Sequence, residues 1–178
     1  MSLKELTADK HAEAENTAFM KAVFDNRMPM DVWQDFTYQK TLFYNAIESC
    51  LSEAGLVSKF PDIKRTFKLL SDYKEMTGGA ITNSYNQTVL DYYQYIMNLY
   101  PDTQRIMAHL YTWHMGDLHG GQMIKRVINA PHSSLDFENR SDLIRAFREY
   151  LNDDMADEAK VAFDWAIKLM REYDSRME

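Results

Sequence analysis

Three glycines stand within six residues of a stretch that otherwise keeps helical spacing. In YTWHMGDLHGGQMIKR, residues 111–126, Gly116, Gly120 and Gly121 interrupt the pattern, and each costs a helix roughly 1 kcal/mol relative to alanine. A chain that carries such a cluster uses the bare backbone, either to let another body approach closely or to let the helix bend. Gly116 and Gly120 are four residues apart and share one helix face. Continued backward, that stripe runs through Trp113 and His109. A strip of exposed backbone beside polar groups suits a flat ligand lying along a helix.

The remaining sequence gives that helix only helical partners. No run alternates apolar and polar residues as a strand would, and apolar residues recur at helical spacing throughout. The pattern predicts helices near 3–12, 15–26, 30–54, 60–75, 84–99, 102–128, 139–153 and 155–174, hence an all-α chain forming a single domain over 1–178. Pro29 and Asp31 open the third helix, Gly55 closes it, and Ala130–Ser134 reads as a loop. Tyr85, Val89, Tyr92, Tyr93, Ile96, Met97 and Tyr100 follow helix spacing and read mainly as core.

A net charge of -7 argues against nucleic acid as the main partner. Cys50 is the only cysteine, which suits a reducing compartment, and it reads as a buried structural thiol in its apolar surroundings. No apolar run approaches the ~20 residues of a membrane span, and the N-terminal MSLKELTADKH lacks a signal-peptide core. The expectation is a soluble, cytoplasmic protein with nothing that demands more than a monomer.

Several residues could carry chemistry. His11 has Glu15 one turn later, and a carboxylate so placed can accept the second imidazole N–H, as behind many metal-bound histidines. An exposed helical ion pair fits the same spacing. Asp117, beside Gly116, could hold waters over a ligand or simply face solvent. His114 and His119 could be ligands, surface groups or satisfied core residues. No histidine follows a glutamate by three residues, so a di-iron bundle is excluded. A cysteine-rich zinc site, a phosphate-binding glycine loop and a serine-hydrolase elbow are also absent.

Two segments together resemble the haem oxygenase family. Tyr111, Thr112, Gly116, Asp117, Leu118, Gly120, Gly121 and Gln122 match the run of its distal helix, and His109 fits the residues before it. His11, Glu15, Asn16, Phe19 and Met20 match its proximal segment, with Leu3, Lys4 and Glu5 ahead of them. DEAKVAFDWAIKLMREY looks like the family's last core helix. The resemblance implies haem, as substrate and cofactor at once, held between a proximal N-terminal helix and a glycine-bent distal helix. Its activity would be cleavage at the α-meso carbon, driven by O2 and electrons, to biliverdin, carbon monoxide and ferrous iron.

The resemblance also implies roles. His11 would ligate the iron and Glu15 would orient it. Gly116 and Gly120 would let the distal helix lie against the porphyrin. Asp117, joined by Tyr44, would organise the waters that deliver protons to bound oxygen. Lys4, Tyr111 and Arg148 would bind the propionates. Electrons would come from reduced ferredoxin or a flavin reductase, with Lys4, Lys10, Lys125, Arg126 and Arg148 as a docking patch. The chain departs from the family at Trp113, His114 and His119, and Ile144 replaces a second basic propionate partner, with Arg145 beside it. His119 as a sixth iron ligand would block oxygen. Two other readings stay in view: a haem carrier or sensor on the same fold, and a TenA-like thiamine hydrolase that would need Cys50 exposed in a pocket.

Overall fold

A computed structural model describes residues 1–177. Among them the ordered backbone is entirely helical, as the spacing predicts. The N-terminal stretch forms three short helices where the pattern suggests two long ones. α1 (Leu3–Leu6) is fixed by a capping box: Ser2 Oγ accepts from the Glu5 N–H while the Glu5 carboxylate accepts from the Ser2 N–H. Thr7 ends it by turning its hydroxyl back to the Leu3 carbonyl, 2.9 Å away. α2 (Ala8–Glu15) carries His11. α3 (Ala18–Phe24) restarts because Thr17 accepts from the Met20 N–H at 3.2 Å.

α4 (Met30–Glu53) is the spine. It leaves Pro29 in extended conformation and ends before Gly55, whose φ of 74° is the left-handed conformation that closes a helix. Phe43, Tyr44 and Ile47 are fully buried along it; burying an apolar side chain of this size contributes about 1.5–3 kcal/mol. α5 (Thr66–Thr77), α6 (Gln87–Leu99) and α7 (Thr103–Leu110) pack around it. α5 starts at Thr66, not near residue 60, because Glu48 of α4 reaches across as its cap: the carboxylate accepts from the Arg65 N–H at 3.0 Å and the Thr66 N–H at 3.3 Å. A carboxylate there also meets the positive end of the helix dipole. On α6, Val89, Tyr92 and Ile96 are buried, but Met97 and Tyr100 are exposed.

The predicted helix over 102–128 is broken in its middle. α7 passes into a π-helical turn at Tyr111–Met115 and resumes as α8 (Gly116–Val127). Trp113, His114 and Met115 are all buried there, continuing the buried run Ile106–Leu110 of α7. The irregularity lies just before the glycines, and Gly116 itself has ordinary helical dihedrals (φ -56°, ψ -47°). The loop predicted at 130–134 is present and ends in a 3-10 turn at Ser133–Leu135. α9 (Arg140–Tyr150) and α10 (Ala156–Arg171) complete the chain. Ala159, Ala162 and Ala166 on α10 give α2 and α7 a close seat, so the last helix carries the first.

Candidate active site

The π turn decides which side of the broken helix meets solvent. Gly116 and Gly120 are exposed, and a β-carbon built on either would meet nothing within 4 Å. Gly121 faces the other way: a β-carbon there would come 3.0 Å from Leu135, so it is glycine for packing. The stripe does not continue as regular spacing predicts. Trp113 and His109 are buried, because the extra residue in the π turn shifts the register of the stripe between α7 and α8 by one residue.

Asp117, next to the open strip, is turned inward and only 8% exposed. Tyr44 donates to its Oδ2 at 2.6 Å, and Lys40 approaches its Oδ1 at 3.4 Å. Burial, and then the negative charge of Asp117, pushes the Tyr44 phenol well above its ordinary value, so it stays a donor. The sequence brings Tyr44 and Asp117 together; it does not pick out Lys40. A signal existed, since Lys40 falls in register with Trp33, Phe36, Thr37, Tyr44 and Ile47, and a lysine on a buried stripe needs a partner.

Behind this pair lies a second inward group. The His114 ring stacks on Tyr44, with centroids 4.4 Å apart, and its Nε2 lies 2.8 Å from the Glu48 carboxylate. Burial alone would raise Glu48, but the bond and charge of His114, with the Arg65 and Thr66 donors, hold it below the usual carboxylate range. Glu48 is then an acceptor and His114 Nε2 carries the proton. The other nitrogen, Nδ1, is buried without a hydrogen-bond partner.

The third part lies on α2. His11 is 62% exposed and Glu15 50%, and His11 Nδ1 stands 3.5 Å from the carboxylate, a loose contact. The ring meets Phe163 edge-on, with centroids 6.0 Å apart. Its Nε2 has no hydrogen-bond partner among the described residues, so one nitrogen is open to a ligand while Glu15 is in place to steer the other.

Lys4 and Arg148 are exposed and stand on the side of His119. Burial lowers the pKa of His119, and the charges of Arg140, Lys4 and Arg148 lower it further, so three cations bear on the side chain next to Gly120. Arg140, which sequence reading passes over, is tied there by its bond to the Leu118 carbonyl at 2.9 Å. Tyr111 is half-buried at the head of the π turn. The broader basic patch does not survive intact: Lys10 pairs with Asp164 at 2.7 Å, and Lys125 pairs with Asp136 at 2.5 Å. Cys50 is buried, 3.8 Å from the Met97 sulfur, and burial raises its thiol pKa, the opposite of an activated nucleophile. The cysteine-centred reading therefore loses its premise. Among the described residues no helix is long and apolar enough to cross a membrane.

Comparison with known proteins places the chain in a family. The family model for heme oxygenase matches residues 1–172. Heme oxygenase 2 of Synechocystis is 28% identical over 134 residues, covering 70% of this chain and 53% of that protein. Heme oxygenase 2 of Mus musculus is 29% identical over 136 residues, covering 70% and 42%. The chain thus spans about half the length of these curated relatives. Among solved structures, heme oxygenase-1 from Synechocystis in complex with heme superposes with a TM-score of 0.88 at 20% identity, over 98% of this chain and 91% of that one. The heme oxygenase from Leptospira interrogans gives 0.84 at 22% identity, over 97% and 100%. At such identities the superpositions speak to the fold; the family match spans nearly the whole sequence, and by it the chain belongs to the haem oxygenase family.

Proposed function

We propose that this protein is a haem oxygenase, converting haem with O2 and electrons into biliverdin, carbon monoxide and ferrous iron. The observation that carries the reading is the exposed pair Gly116 and Gly120, with open space where side chains would be, next to the buried Asp117 carboxylate. A porphyrin needs a flat, unobstructed wall, and the reaction needs a proton source that does not itself crowd the oxygen.

The residues present fit haem as substrate. His11 offers a free imidazole nitrogen on an exposed helix, a common iron ligand, with Glu15 placed to orient the ring. Lys4 and Arg148, with Arg140 beside them, supply cations for the propionates and so fix which ring edge faces the distal helix. Asp117 accepts one bond from Tyr44 and keeps further lone pairs for water. Protons then arrive through water held by the carboxylate, not from an acid touching the oxygen. The electron donor is a reduced ferredoxin or a flavin reductase. Lys4, Arg126 and Arg148 are the patch cations that have no carboxylate partner among the described residues, and they offer an acidic donor a place to dock.

The test begins with purified protein and hemin, followed by ferredoxin, its reductase and NADPH in air. A Soret band that decays into a broad red bilin band is expected. A Soret band that persists, while a known haem oxygenase turns over in the same mixture, would favour a haem carrier or sensor instead. Asp117→Ala should keep the Soret band and lose bilin formation; normal turnover in that variant would remove Asp117 from the proton path.

A further inference from the structure

Lys40 is an ammonium in an unusual place. It is 6% exposed on the buried face of α4, lies over the Phe36 ring at 5.5 Å and the Tyr44 ring at 5.1 Å, and reaches Asp117 at 3.4 Å. It also borders a cavity of about 20 Å³ between α4, α8 and the loop after α8, room for about one water. The other charged groups around that cavity are engaged elsewhere. Asp72 of α5 accepts from the Ser133 N–H and hydroxyl and the Ser134 N–H at 2.6–2.9 Å. Lys125 of α8 and His132 of the loop both pair with Asp136. Arg65, whose charge is also felt at Asp117, is held by Asp62 and by the carbonyls of Ser134 and Asp136. The remaining neighbour is Tyr44, whose phenol is already spent on the other Asp117 oxygen. By elimination Lys40 has one carboxylate to serve.

We propose that Lys40 is the positioning residue of the distal carboxylate: a buried positive charge, behind the helix wall, that fixes Asp117 and sets the electrostatic field its waters experience. The inference rests on the haem oxygenase reading and adds a residue to it. Tyr44 holds one oxygen and Lys40 the other, so the carboxylate is clamped from a single helix through residues one turn apart. Buried charges are tolerated only when paired, so each of the two charges depends on the other.

Two measurements test this, one without haem. In urea unfolding of the haem-free protein, Lys40→Met should lower the folding constant about tenfold or more in the wild-type background. The same change should cost about twofold or less where Asp117→Asn has already removed the carboxylate. Equal losses in both backgrounds would overturn the pairing. With hemin bound, Lys40→Met should keep its Soret band and binding constant. The pH midpoint of the ferric water-to-hydroxide spectral change should move upward by about half a unit or more, because a positive charge that favours hydroxide is gone. Bilin formation should slow, and Lys40→Arg should restore both; a midpoint and turnover equal to wild type would overturn the positioning role. If Lys40→Met does not fold, Lys40→Gln takes its place in the same comparison, with Lys40→Arg still the charge-keeping control. If wild-type protein shows no Soret band, the haem oxygenase reading fails, and the unfolding cycle alone decides the pairing.

Discussion

The chain pairs histidine with glutamate both on its surface and in its core, and the two settings differ in what they leave free. On α2, His11 and Glu15 are at least half exposed and 3.5 Å apart; such a pair is worth little to stability, and its value is the open nitrogen. In the core, His109 is used completely. Trp113 donates to the Tyr92 hydroxyl at 3.0 Å, Tyr92 bonds His109 Nδ1 at 2.6 Å, and His109 Nε2 bonds Glu158 at 2.9 Å. That run of bonds leaves no proton or lone pair of His109 over, which marks it as framework. The lesson is that residue type and spacing say little about a histidine's task; the count of nitrogens already occupied says much more.

The largest expected effect tests the core side. Glu48→Ala removes the partner of His114 and the cap of α5 together, and should destabilise the fold by about 3–5 kcal/mol in urea unfolding. A loss under about 1 kcal/mol would mean that the buried pair is not structural. Next is Glu158, whose pKa is held at about 2 against an ordinary 4.5: burial would raise it, but the His109, Tyr95 and Arg105 bonds outweigh burial. Its folded value lies below its unfolded one, so its contribution is complete above about pH 4.5 and is lost as pH falls toward about 2. His109, lowered chiefly by burial, acts in the same direction, since the unfolded chain takes up its proton first as pH falls below 6.5. Acid unfolding should therefore be steep in wild type and shallower in Glu158→Gln, which should itself cost about 2 kcal/mol at neutral pH; parallel curves would contradict the assignment.

Smaller effects separate the surface side from the core. Gly120→Ala should gain about 0.5–1 kcal/mol of stability, since helix propensity improves and no atom stands in the way, yet hemin titration should show weaker binding. Unchanged binding would mean that the strip is not the ligand wall. Least of all in stability, His11→Ala should shift unfolding by under about 0.5 kcal/mol while abolishing the ferrous haem spectrum, with recovery on adding imidazole. An unchanged spectrum would remove His11 as the ligand.

Much of this was legible in the sequence, for physical reasons. Helices could be placed because one-sided burial leaves a period, and the glycine strip because a helix uses glycine only at a cost. The starts of α2, α3 and α5 were less legible, because Thr7 turns its hydroxyl back to end α1 and Thr17 caps α3 where apolar spacing runs on, and Glu48 caps α5 from another helix. The His11–Glu15 pair was legible because both partners lie on one helix; Tyr44 came only through the family resemblance. Lys40, His114–Glu48 and Arg140 were not assigned roles. Each depends on a contact between distant segments, and a charged residue on a buried stripe announces that it has a partner without naming it.

The π turn at Tyr111–Met115 has a consequence for how this sequence can vary. It amounts to one extra residue lodged in an otherwise continuous helix, and the wider turn absorbs that surplus so that Gly116, Asp117 and Gly120 keep their face. A second residue inserted between Tyr111 and Met115, with no wider turn to absorb it, would turn everything downstream by about 100°. The bare strip would rotate off its open face and Asp117 away from Tyr44 and Lys40. The segment can therefore shed its surplus residue with the strip in place, but it cannot gain another.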